Sequence, residues 1–264
     1  MKRLMAFLFI LCFLINMIAY ASEAPMTYTT EEKIEKLKEY NVIHGYEDGK
    51  FYPQNNITRA EFCKIVSAIS GFQANSVIDN YNYFADVPSE HWANKYIMFC
   101  YNNGFVNGVS QSEKLYFVDL DENGNEVGRS ELFYKDNIGE LYGTEAKIPE
   151  NLFAPDNYIT YQEALKILVC VLGYEDVAKK RGDYPYGYVS VAREIGIIES
   201  DFSYNECISR ESAAEAVYNT LFIPMMIKEN ISDENGDRTE FVISDGNKGT
   251  ELQTLYKRYF EECE

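Results

Sequence analysis

Phe51-Tyr52-Pro53-Gln54-Asn55-Asn56-Ile57-Thr58-Arg59-Ala60-Glu61 and Phe153-Ala154-Pro155-Asp156-Asn157-Tyr158-Ile159-Thr160-Tyr161-Gln162-Glu163 are one unit written twice, with six of eleven positions identical and no gap. A weaker third copy reads Ile208-Ser209-Arg210-Glu211-Ser212. A second shared string precedes each copy: Asn41-Val42-Ile43-His44-Gly45, Gly104-Phe105-Val106-Asn107-Gly108 and Gly196-Ile197-Ile198-Glu199-Ser200. Internal recurrence of this kind marks a chain that repeats one supersecondary unit.

Each unit reads as helix, loop, helix. The first helix is amphipathic, with Ile34 and Leu37 before Tyr40 in the first unit, and it stops at Asn41, Gly104 or Gly196. Asn and Gly are the residues that tolerate the left-handed conformation closing a helix. The second helix opens at Thr58, Thr160 or Ser209, all good N-caps. Glu61 and Glu163 fall three residues later and complete a capping box, which Ser212 cannot do. Apolar residues then recur at helical spacing: Phe62, Ile65, Val66 and Ile69; Leu165, Leu168, Val169 and Leu172; Ala214, Val217, Tyr218 and Leu221. Three helices with such stripes are expected to bury them against one another.

The separation from Asn41 to Thr58 is 17 residues and from Gly196 to Ser209 it is 13, but from Gly104 to Thr160 it is 56. The second unit therefore carries an insertion of about 39 residues. Asn123-Gly124, between Leu115–Val118 and Val127, signals a hairpin. The string Asp119-x-Asp121-x-Asn123-Gly124-Asn125 also starts like a calcium loop. Ser130 stands at its twelfth position, where a bidentate Glu is required, so the hairpin turn is the better reading and no metal site is expected. Asp233–Asp237 reads as a second hairpin turn, and Leu252–Phe260 as a short helix.

Composition narrows the function classes. The chain has 264 residues, 24 Lys and Arg against 42 Asp and Glu, and a net charge of −18. That argues against a nucleic-acid binder, which needs a basic surface. With two histidines, His44 and His91, a His-rich metal site or a triad is a poor expectation. Lys2 and Arg3, the apolar run Leu4–Ile18 and Ala19-Tyr20-Ala21 have the layout of a secretory signal peptide cleaved after Ala21. The alternative is an uncleaved anchor, since that stretch borders on spanning length. Five further cysteines lie at wide spacings without a C-x-x-C. Cys63, Cys100 and Cys170 sit in apolar helical patterns and read as small buried hydrophobes.

The repeats resemble the S-layer homology family in three tandem copies. The first copy carries Gly45-Tyr46-Glu47-Asp48-Gly49-Lys50-Phe51-Tyr52-Pro53 and then Ile57-Thr58-Arg59-Ala60-Glu61. The second opens with Phe84-Ala85-Asp86-Val87-Pro88-Ser89-Glu90-His91-Trp92-Ala93, and the third with Tyr184-Pro185-Tyr186-Gly187-Tyr188 before Ile208-Ser209-Arg210. The resemblance covers roughly residues 31 to 223. It implies a mainly α fold, a three-lobed bundle in which three helix-loop-helix repeats are related by a pseudo-threefold, with small β-hairpin insertions. The expected divisions are a signal peptide (1–21), repeat one (22–72), repeat two (73–173, with the insertion at about 110–151), repeat three (174–226) and a C-terminal extension (227–264).

The resemblance further implies non-covalent anchoring of a secreted protein to the bacterial cell wall or S-layer. The partner would be secondary cell-wall polysaccharide bearing acidic pyruvyl groups, held in grooves between repeats. No cofactor is implied, and no membrane contact after signal cleavage. The family's Arg contact to the acidic group falls here on Arg59 and Arg210. Asp48 and Gly49, most simply a turn, belong to a loop that shapes the groove. Repeat two departs with Tyr161 in place of Arg, and repeat three lacks the Asp-Gly loop and the capping Glu, so one or two of three grooves are expected to be weak. At the first helical position Arg59 also lies beside free backbone N–H groups that a sugar carboxylate could meet. The competing reading makes Arg59 a surface ion pair with Glu61 or Asp48. Trp92, the single tryptophan, is either a sugar platform or a core wedge between repeats. The rival functions are a self-assembling structural or adhesive surface protein and, less well supported, a polysaccharide-acting enzyme. No two carboxylates stand out as a catalytic pair. The chain reads either as a stand-alone wall binder or as the anchor part of a longer protein.

Overall fold

A computed structural model describes residues 28–73, 83–109, 116–120, 126–131, 151–198, 203–233, 236–243 and 252–261. The leader at 1–21 and the turn at 121–125 lie outside the described residues. The fold is mainly helical. The helices in chain order are α1 (Thr30–Glu39), α2 (Arg59–Ile69), α3 (Asn94–Asn102), α4 (Tyr161–Val171), α5 (Glu175–Lys180), α6 (Tyr186–Glu194), α7 (Arg210–Leu221) and α8 (Leu255–Tyr259). β1 (Tyr116–Leu120) pairs antiparallel with β2 (Glu126–Glu131) inside the insertion, and β3 (Met226–Asp233) pairs antiparallel with β4 (Gly236–Ile243). Both expected hairpins and the short C-terminal helix are present.

Local chemistry sets the helix ends. Thr58 and Thr160 cap α2 and α4, with Glu61 and Glu163 returning to the cap backbone. Ser209 caps α7 by accepting from the Ser212 amide at 3.1 Å. The first helices end where expected, at Asn41, Gly104 and Gly196, with φ of 62°, 74° and 85°. α5 has no side-chain cap and only six residues, and its pattern was not read from the sequence.

The core forms where α2, α4 and α7 meet, each touching the other two. Phe62, Leu165, Leu168, Val217 and Leu221 are fully buried there. The first helices pack across unit boundaries: α3 lies along α2, α6 along α4, and α1 along α7. That last contact joins the start of the described chain to its final repeat unit.

Three short extended stretches close a hydrogen-bonded ring around the helix N-termini. The Ile57 amide donates to Ile208 O, the Ile208 amide to Ile159 O, and the Ile159 amide to Ile57 O, at 3.0–3.2 Å. All three isoleucines are buried. One residue pair further on, Arg59 N donates to Asn157 O, Tyr161 N to Glu206 O and Arg210 N to Asn55 O. Each loop thus satisfies the first amide of the preceding unit's second helix, which a helix cannot satisfy within itself.

The residues after α7 return to this body. The Met226 amide donates to Leu172 O at 2.8 Å, and Tyr174 donates from its hydroxyl to Pro224 O at 3.0 Å. α8 sets Tyr256 and Phe260 against Tyr40 with ring centroids 5.5 and 5.6 Å apart, and its Tyr259 covers Gly71. Cys63, Cys100 and Cys170 are buried free thiols, as read, and burial pushes the Cys170 thiol up to about 12.

Candidate functional site

Two clefts of the same design open beside the ring. In the first, Arg59 reaches from the start of α2 to the next unit. Its Nη1 donates to Glu163 Oε1 at 2.6 Å, its Nε to Phe153 O at 2.9 Å and its Nη2 to Asn107 O at 3.4 Å. In the second, Arg210 reaches from α7 to the first unit. It donates to Glu61 Oε1, Phe51 O and His44 O at 3.4, 2.9 and 3.1 Å. Asn107 and His44 occupy the same place in the strings that follow α3 and α1. Arg59 lies over the Phe153 ring at 4.7 Å, while Arg210 sits between Tyr46 and Phe51 at 4.4 and 4.8 Å.

This corrects two expectations. Both arginines are only 7% exposed, so neither is a surface ion pair, and the partner of Arg59 is Glu163 rather than Glu61 or Asp48. The α2 amides are engaged too: Arg59 N donates to Asn157 O, Ala60 N to Pro155 O and Glu61 N to Thr58 Oγ1. The neighbouring loop and the helix's own cap have taken the donors that a sugar carboxylate was expected to meet. Among the described residues these hydrogen bonds take three of the five N–H groups of each arginine.

The capping glutamates have a double role. Glu163 accepts from the Thr160 amide at Oε2 and from Arg59 at Oε1. Glu61 accepts from the Thr58 amide at Oε2, and at Oε1 from Arg210 and from the Tyr46 hydroxyl at 3.3 Å. Burial raises the Tyr46 phenol above its ordinary pKa.

Aromatic walls stand at matching positions. Trp92 lies twelve residues before Gly104 and Tyr184 twelve before Gly196. Trp92 lines the second cleft at 51% exposure, which overturns its reading as a core wedge, and Tyr184 lines the first at 43%. Asp48 and Gly49 do not line the cleft. Gly49, at φ 78°, forms the turn that closes Tyr46 onto Lys50, and Asp48 accepts from the Lys50 amide and the Tyr52 hydroxyl. The Tyr52 hydrogen bond holds the Asp48 carboxyl below its usual pKa. Tyr52 in turn packs on Tyr46, with centroids 5.7 Å apart. The first cleft encloses about 550 Å³ and the second about 180 Å³.

Lys64 and Lys166 also line the clefts, one helical turn beyond Glu61 and Glu163. Sequence reading passed over them. The repeated Glu-x-x-Lys spacing was the available signal.

The design uses Arg of one unit and Glu of the next. The departures at Tyr161 and Ser212, in different units, therefore fall on the same junction, between the second and third. Glu215 stands there in the place of Lys64 and Lys166, and Lys33 of α1 pairs with it at 3.0 Å.

The S-layer homology domain family matches the chain at residues 25–63 and 83–113. A "Cell surface protein" of Thermoanaerobacter kivui is 25% identical over 236 residues, which cover 86% of this chain and 25% of that protein. A "Middle cell wall protein" of Brevibacillus brevis is 26% identical over 217 residues, 79% of this chain and 17% of that protein. A "Surface layer protein" of Brevibacillus choshinensis is 25% identical over 231 residues, 82% of this chain and 17% of its own length. The chain thus spans a quarter or less of the length of these relatives.

Proposed function

We propose, from the premise that residues 25–63 and 83–113 are S-layer homology sequence, that the chain is a non-enzymatic cell-surface anchor. It attaches a secreted protein to the bacterial wall by holding secondary cell-wall polysaccharide that bears acidic, pyruvyl-type groups. The observation that carries this reading is the duplication of one cleft: a clamped arginine, two carbonyls, a capping glutamate, an aromatic wall and a lysine, at two junctions of one chain. Concave sites with aromatic walls and a few fixed polar groups suit small rigid ligands such as sugars. The names of the relatives point to the same place, and the leader read at residues 1–21 supplies the export.

Arg59 and Arg210 offer their remaining N–H groups to the ligand's carboxylate, and Trp92 stacks on a sugar face. Asp48 and Gly49 hold Tyr46 in place. The paired carboxylates favour binding over catalysis: Glu61, Glu163 and Glu175 are each held by a cation, in Arg210, Arg59 and Lys179. Two sites on one chain, facing a repeating polymer, gain from effective concentration.

Sedimentation with isolated sacculi tests this. The purified chain should pellet with intact walls and remain soluble with walls stripped of pyruvyl ketals by mild acid. A chain that stays soluble with intact walls contradicts the proposal.

A further inference from the structure

The Arg–Glu pairs leave a question of charge. Arg59 is neutralised by Glu163 and Arg210 by Glu61, so each clamp contributes hydrogen-bond donors but no net charge. The protein as a whole carries −18 and repels an anionic polymer. An acidic ligand needs a cation in the cleft that is not already paired. Lys64 and Lys166 meet that need: both line their clefts, both are half-buried, and among the described residues neither has a hydrogen-bond or ion-pair partner. The other cleft lysine, Lys179 in the first cleft, is bound to Glu175 at 2.8 Å.

The junction without the clamp supplies an internal control. Where Tyr161 and Ser212 replace the Arg–Glu pair, the residue at the lysine position is Glu215, already held by Lys33. The free lysine is thus present where the clamp is present, and its charge is reversed where the clamp is missing. A lysine serving only as a solvated helix residue has no reason to follow the clamp in this way.

We propose that Lys64 and Lys166 determine the preference for an acidic over a neutral wall glycan, while Arg59 and Arg210 keep the cleft walls in place and orient the ligand. This rests on the anchoring role proposed above. An ammonium on a flexible stem acts as a point charge, so its contribution is sensitive to salt and survives replacement by another cation.

The test compares the parent, Lys64→Gln/Lys166→Gln and Lys64→Arg/Lys166→Arg for binding to sacculi, intact or stripped of pyruvyl ketals, at low and high salt. The Gln pair should lose about tenfold or more in affinity for intact walls. Its preference for intact over stripped walls should fall by about the same factor, and it should lose most of the parent's salt dependence. The Arg pair should retain the parent's preference, and thermal unfolding of both variants should match the parent. If the Gln pair still prefers intact walls as strongly as the parent, the lysine assignment is wrong while the anchoring role stands. If the parent itself binds neither wall, both fall.

Discussion

Glu163 joins two tasks that are usually separate. Its Oε2 completes the cap of its own helix, and its Oε1 neutralises an arginine that lies 104 residues earlier. Arg59→Ala would leave that carboxylate half-buried without its cation and free the Phe153 and Asn107 carbonyls. We expect a loss of ~1–3 kcal/mol in folding stability, read by chemical denaturation, besides the weaker wall binding. Glu163→Gln should cost less, because Gln still serves a capping box. An Arg59→Ala variant as stable as the parent would mean that the guanidinium is not part of the junction. The same logic separates the buried thiols from the cleft residues. Cys170 is buried and burial raises its pKa, as expected of a thiol that packs as a small hydrophobe.

Among the elements, the insertion in the second unit is the clearest addition. Its ends meet, with the Val109 amide donating to Leu152 O at 2.8 Å, and the Ala85 amide holds the returning end at Asn151 O, 2.9 Å away. Replacing residues 110–150 by a short Gly-Ser link should therefore leave cooperative thermal unfolding intact, since loop closure costs grow slowly with length. Loss of cooperativity would place the insertion within the core. What the sequence made legible follows the range of the forces involved. The caps at Thr58, Thr160 and Ser209 and the left-handed stops at Asn41, Gly104 and Gly196 act within a turn of chain, so residue type and spacing reveal them. The Arg59–Glu163 and Arg210–Glu61 pairs depend on which units adjoin, and periodicity does not carry that information. Trp92 was ambiguous because an aromatic residue fills a core or a cleft wall equally well. Lys64 and Lys166 look like ordinary solvated helix residues until the neighbouring lobe is placed beside them. α5 was not legible because it is short and lacks a side-chain cap.

At the scale of the molecule, the chain closes on itself. The ring through Ile57, Ile159 and Ile208 and the packing of α1 on α7 give each junction the same framework. The residues on that framework then differ: Arg, Glu and Lys at two junctions, and Tyr161, Ser212 and Glu215 at the third. Glu215 puts a carboxylate where the other two junctions have an ammonium, and Lys33 pairs with it. Under the proposed function two clefts bind the acidic group and the third junction does not. Isothermal titration with a soluble, pyruvyl-bearing fragment of the wall glycan measures this directly. The parent should bind two fragments per chain, and a variant altered at Arg210 and Lys64 together should bind one, at the first cleft. Three fragments per chain, or none, would contradict the account.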